Sequence, residues 1–316
     1  MPARFRHFRT LLMLFTGALL AVSQGAAADE TKIRIGYPSG LNAQIPIVMD
    51  KAGIAAKHGL EATFMGFQNG PPMMEGLVAG QLDAIITSTL PPIVLASKLP
   101  GQIAVVAALG NSSHALLVRK DSPANDFADL RGKKIGVSFS TDSHLDLVMT
   151  LKARGLAPKT DVELVNLLPN ELPSALDKAL VDAVVIRQPQ VLRLEETIGA
   201  RALHRWPFHF VAIMRRDYFK QNPETVKHYL DALRESVFYI ASNPDEASRW
   251  FGEVQRVDPA VVRQLAGENP LYAAKSEGEV VLDVLPALRG YISERLDAAF
   301  EHGFIREKVL PDSLFP

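Results

Sequence analysis

Cysteine is absent from the 316 residues. That excludes disulfides, thiolate metal sites, a cysteine nucleophile and a lipid anchor carried on cysteine. Long apolar runs are also absent beyond the first 22 residues. The one run near the start, Leu11 to Val22, has 12 residues, short of the roughly 20 that a spanning helix needs. It follows Arg4, Arg6 and Arg9 and precedes Ala26-Ala27-Ala28, the pattern of a cleaved export signal with the mature chain starting at Asp29. No basic excess exists either. Without those three arginines Lys+Arg falls from 34 to 31 against 35 Asp+Glu, a net charge of −4, which argues against nucleic acid or an anionic membrane as partner. A His-Glu-x-x-His zinc motif is missing and the eight histidines are scattered, His204 and His209 lying in a presumed crossover. Gly136-Val137-Ser138-Phe139-Ser140 lacks the second glycine of a hydrolase elbow. An enzyme is therefore not expected.

What is present is an alternation of strand and helix patterns. Strands are expected at Lys32 to Tyr37, Glu61 to Phe67, Ala84 to Thr87 and Ile103 to Leu109, with helices over Ile45 to Lys57, from Pro71 and from Pro92. This order at short spacing calls for parallel strands with helices on their faces, an α/β fold. The pattern then restarts, with strands at Lys134 to Val137, Val162 to Leu167 and Ala183 to Ile186 and helices over Ser143 to Ala153 and Pro173 to Ala179. Leu82-Asp83-Ala84-Ile85-Ile86 is matched by Val181-Asp182-Ala183-Val184-Val185, a weak internal repeat.

After an apolar strand at Phe208 to Met214, helices are expected over Pro223 to Ala241, Pro244 to Phe251, Pro259 to Gly267 and Glu279 to Phe300. Chain crossings near Asn111 to Ala115 and Trp206 to Phe208 make a two-stranded hinge. The expected domains are a signal at 1–28, a discontinuous first lobe at 29–113 and 208–316, and a second lobe at 114–207.

Ligands of open α/β sheets bind beyond the carboxyl ends of the strands, so the loops there are the candidate site. Pro38 to Gln44 offers Ser39 and Asn42. Gln68, Asn69 and Gly70 lie over a helix start, where unpaired N–H groups suit a small anion. Ser88 and Thr89 precede a further proline-started helix, and their alternative role is capping. The second lobe offers Ser138, Ser140, Thr141, Ser143 and His144 between a strand and a helix. Asp142 in that segment repels an anion unless it turns away to cap the helix, the role expected for it. Arg187 and Gln188 follow the last strand. A guanidinium aimed into the cleft suits a carboxylate, sulfonate or phosphate, while one lying on the surface shields apolar neighbours.

The segments Gly70 to Asp83, Asp129-Leu130-Arg131-Gly132-Lys133-Lys134-Ile135-Gly136 and Val181-Asp182-Ala183 resemble the solute-binding proteins of ABC importers for aliphatic sulfonates, taurine or nitrate. The resemblance covers essentially the whole mature chain. It implies a two-lobed periplasmic binding protein fold of type II, each lobe a mostly parallel sheet flanked by helices. It further implies a monomer that captures a sulfonate-like anion by hinge closure and delivers it to an inner-membrane permease, without cofactor, metal or catalytic residue. With no lipid anchor, such a protein diffuses freely and belongs in a periplasm. Relatives use a small polar segment like that at Ser88 on the ligand and hold the anionic head at the helix start near Ser143. Arg187 departs from the aromatic and polar pair common before this proline, and Ala179 replaces a frequent glycine. The same scaffold also serves pyrimidine or thiamine-precursor binding, aromatic acids, and ligand-sensing receptors. The thiamine-pyrimidine enzymes of the fold use a cysteine-rich motif that this chain lacks.

Overall fold

A computed structural model describes residues 31–316. The export signal expected over residues 1–28 and the start at Asp29 lie outside the described residues. Strands β1 (Lys32–Pro38), β2 (Glu61–Phe67), β3 (Ala84–Ser88), β4 (Ile103–Val118), β5 (Lys134–Val137), β6 (Glu163–Asn166), β7 (Ala183–Arg187) and β8 (Arg201–Arg215) make one sheet. Their order is β2-β1-β3-β8-β4-β7-β5-β6. β1 runs parallel to β2 and β3, and β5 parallel to β6 and β7. The long pair β4 and β8 is antiparallel and passes through both halves.

The internal repeat has a structural cause. Asp83 receives the Arg34 backbone N–H at 3.0 Å and donates its own N–H to the Arg34 carbonyl at 2.9 Å. Asp182 makes the same exchange with Lys134, at 2.9 and 2.8 Å. Each aspartate thus fixes the register of the strand it opens against the first strand of its half.

Helices sheathe both faces, as a buried parallel sheet requires. On the first half, α1 (Gln44–Lys51), α2 (Ile54–Lys57), α3 (Gly70–Val78) and α4 (Leu90–Lys98) follow the early strands. The second half carries α5 (Asp142–Ala153), α6 (Leu172–Asp177) and α7 (Gln190–Ile198). The chain then returns through α8 (Arg216–Gln221), α9 (Pro223–Ser242), α10 (Pro244–Gln255), α11 (Pro259–Leu265) and α12 (Pro286–Glu301). Ile45 of α1, Tyr229 of α9, Phe251 of α10 and Val262 of α11 share one buried core with β1. Met73 of α3, Ile93 of α4 and Leu296 of α12 share another. In the second half Leu147 and Leu151 of α5 fill one face, and Leu176 of α6 and Leu194 of α7 the opposite one.

Four expected elements differ. The helix over Ile45 to Lys57 is two helices, because Gly53 takes a left-handed φ of 66° and turns the chain between them. The last helix starts at Pro286 rather than Glu279. Residues 280–285 instead run along β4, where the Leu282 carbonyl accepts the Ala108 N–H at 2.7 Å. β4 and β8 also extend well past the expected apolar stretches, since their polar middles are the two crossings themselves. Ser112 pairs with Phe208 and His114 with Trp206 in register.

Candidate functional site

The carboxyl ends of β1, β2, β5 and β7 open onto one cavity of 490 Å³. It is lined from the first half by Ser39, Gly40, Gln68 and Asn69, and from the second by Ser138, Thr141, Ser143, Asn170, Arg187, Gln188 and Gln190. The end of α10 closes a third side with Val254, Gln255 and Arg256. Hydroxyls, amides and two guanidiniums share the lining with Leu172, Val185, Ile186, Phe251 and Val257, and among the described residues no carboxylate side chain lines it.

The loop geometry repeats between halves. Ser39 Oγ donates to the Gln68 carbonyl at 2.7 Å, and Ser138 Oγ donates to the Leu167 carbonyl at 2.7 Å. Both hydroxyls tie the first strand's loop to its neighbour and present lone pairs, rather than protons, to the cavity. Thr141 Oγ1 donates in the same way to the Ser138 carbonyl at 2.7 Å. Donors for an anion must therefore come from elsewhere: the first N–H groups of α5 beside Ser143, the amides of Gln68 and Asn170, and the guanidiniums.

Six of the expected site residues lie outside this cavity lining. Asn42 is 1 % exposed beneath the Gly40 loop. Gly70 packs α3 on α4, where a Cβ would come within 2.5 Å of Pro91. Ser140 faces a separate apolar groove between α3 and α4. His144 stacks on Phe139 with ring centroids 4.3 Å apart and meets Phe304 edge-on. Burial holds its pKa down to about 4, so it is neutral near pH 7. Ser88 and Thr89 are buried under the charge cluster described next.

That cluster corrects the expected role of Asp142. Its helix α5 receives no side-chain cap, and the carboxylate caps α4 across the cleft instead. It accepts the Leu90 N–H at 3.2 and 3.3 Å and the Thr89 hydroxyl at 2.8 Å. Arg187 Nη2 lies 3.8 Å away and Arg295 Nη2 3.6 Å away. Burial opposes the charge on Asp142, but the two guanidiniums together with the Ser88 and Thr89 hydroxyls outweigh it and hold the pKa below the usual carboxylate range. Arg295 also pairs with Asp146, whose other oxygen lies 3.0 Å from His114 Nε2. Burial, the largest influence, keeps the enclosed His114 below its ordinary pKa.

Arg187 points across the cleft rather than along the surface. It donates to Ser88 Oγ at 3.1 Å and its guanidinium carbon sits 4.5 Å above the Phe208 ring. Gln188 bridges to the hinge, donating to Glu268 at 3.1 Å while accepting the Leu192 N–H at 3.2 Å. Glu268 also receives Ser112 Oγ at 3.0 Å.

Arg256, Asn170, Glu268 and Arg295 were not singled out in the sequence. A signal for Arg256 existed, because the helix stop between Gln255 and Pro259 places it at a helix end. Which way that end faces depends on the packing of α10 against α1 and α9.

Residues 26–250 match the model of the NMT1-like family. The chain is 26% identical to a putative binding protein of Brucella abortus over 318 residues, covering 97% of each. It is also 26% identical to a putative aliphatic sulfonates-binding protein of Bacillus subtilis, over 83% of this chain and 80% of that one. The fold is shared with the alkanesulfonate-binding protein SsuA of Xanthomonas axonopodis pv. citri, solved bound to MOPS. That likeness has a TM-score of 0.78 and 19% identity, over 90% of this chain and 98% of that one. These relatives are binding proteins, and the chain belongs to the NMT1-like family.

Proposed function

We propose that this member of the NMT1-like family is the periplasmic ligand-capturing component of an ABC importer, acting as a monomer and delivering an aliphatic sulfonate to an inner-membrane permease. The observation that carries the reading is the cavity between the strand ends, lined by hydroxyls, amides and the guanidiniums of Arg187 and Arg256, with no carboxylate among the described residues that line it. A sulfonate is a fixed monoanion with three acceptor oxygens, so it suits converging donors at any physiological pH. The names of the B. subtilis and Xanthomonas relatives support the same chemistry.

In this reading residues 29–113 and 208–316 form one lobe and 114–207 the other, joined where β4 and β8 cross. A ligand that touches both lobes favours the closed arrangement by its difference in affinity for the two states. No covalent step is involved. Ser143 and the start of α5 hold the charged head beside Arg187, while Gln68, Asn69 and Arg256 contact it from the other walls. Ser39, Ser138, Thr141 and Gln188 shape the loops. Ser88 acts through Arg187, whose guanidinium it receives.

The test is thermal melting of the chain from Asp29 with ethanesulfonate, taurine, nitrate and acetate. A bound ligand at 100 times its dissociation constant stabilises by about 2.7 kcal/mol, a midpoint rise of several degrees. The expected result is a rise with sulfonates alone, with the affinity weakened at least tenfold by Arg256→Ala, since a charge-assisted hydrogen bond contributes about 1.5–3 kcal/mol. Absence of a rise with any of the four overturns the anion reading.

A further inference from the structure

The start of α4 is unlike an ordinary anion-binding helix start. Pro91 and Pro92 carry no N–H, and the Ile93 N–H already reaches the Thr89 carbonyl at 3.4 Å. One free donor is left in the first turn, Leu90 N–H, and Asp142 takes it. The same carboxylate receives the Thr89 hydroxyl, faces Arg187 and Arg295, and is fully buried. Its partners come from both sides of the cleft: Thr89, Leu90 and Arg295 belong to the β3, α4 and α12 side, Asp142 and Arg187 to the α5 and β7 side.

We propose that Asp142 is a resident anion that fills the α4 start, so that the chain's own charge draws the two lobes together there. The charged group of an incoming ligand is then left to α5, Arg187 and Arg256. That last consequence rests on the anion reading above; the occupancy of the α4 start does not. Charge balance supports it. Two carboxylates, Asp142 and Asp146, meet two guanidiniums, Arg187 and Arg295, and burial lowers the pKa of the neighbouring His114. Asp142 is thereby a specificity-determining residue: with the α4 start filled, the cleft has room for one anionic group and not for a second at that helix.

Asp142→Ala leaves a hole of carboxylate size facing the same donors, and formate is the probe that fits it. The variant is expected to melt on the order of 10 °C below the wild type, because a buried charge cluster has lost a partner. Formate at tens of millimolar should recover a large part of that loss, with the wild type unmoved relative to chloride of equal ionic strength. Equal formate effects on both proteins, or no recovery in a folded variant, overturns the proposal. Should the alanine variant not fold, its refolding yield with and without formate gives the same reading. Asp142→Asn keeps the volume and removes the charge, and small-angle scattering of the unliganded protein should show a larger radius of gyration than the wild type. An unchanged radius overturns the closing role. Neither measurement uses a sulfonate, so failure here is distinct from failure of the transport reading.

Discussion

Leu82-Asp83-Ala84 in the first half and Val181-Asp182-Ala183 in the second perform one backbone task with different charge partners. Asp83 is 2 % exposed, and beyond the strand tie it accepts Arg34 Nε at 2.8 Å and Nη2 at 2.7 Å, with Arg215 3.6 Å away. The Asp182 side chain is 39% exposed and, among the described residues, has Lys133 as its charge partner, at 4.0 Å. The aspartate is kept in both halves because a strand N–H needs an acceptor. The ion pairs are a local addition in the half that buries it.

Substitution sharpens the contrast. Asp83→Ala leaves two arginines beside a lost acceptor and should cost about 3 kcal/mol, whereas Asp182→Ala removes one hydrogen bond in a half-solvated place and should cost about 1 kcal/mol. Urea unfolding of the two variants checks this, and equal costs would break the distinction.

Acid should weaken the start of α5 more than the start of α1. α5 begins beside His144, whose pKa falls from 6.5 to about 4 through burial. The matching helix α1 has no titratable side chain before Asp50. A histidine with a depressed folded pKa is less protonated folded than unfolded between those values. Its stabilising share is present above pH 6.5 and lost as pH falls toward 4, by about 2 kcal/mol between pH 7 and 4.5. Denaturation at both pH values should show His144→Gln with a shallower loss than the wild type by that amount.

The smallest contrast lies under the first strands. A Cβ on Gly36 would come within 2.8 Å of Leu82 and 3.1 Å of Ile85, and one on Gly136, slightly less tightly, within 3.0 Å of Leu167, 3.2 Å of Leu172 and 3.3 Å of Val184. Alanine should cost about 2 kcal/mol at Gly36 and about 1 kcal/mol at Gly136, read as shifts in the urea midpoint.

Much of this was legible in the chain. Ile33 and Ile35 alternate as a strand must, proline opens α9 to α11, and the repeated aspartate motif marks β3 and β7 as equivalents. β4 and β8 pair with each other at the two segments where the chain was expected to cross. What sequence could not show is direction across the cleft. Arg187 was open between cleft and surface until Ser88, Asp142 and Phe208 were seen around it. Asp142 lies 53 residues from Thr89, and no local pattern says that α5 delivers its carboxylate to α4. The prolines at 91 and 92 did contain a hint, since they strip that helix start of N–H groups.

β3 does not find its antiparallel neighbour in β4, the next strand along the chain, but in β8. β7 finds its own in β4, which comes before it. A chain that emerges amino end first, from a ribosome or an export channel, therefore completes the halves in reverse order. When β7 emerges, its neighbour is already waiting, and the second half of the sheet can form. The first half of the sheet keeps an open edge at β3 until β8 ends at Arg215, so the half that emerges first is finished last.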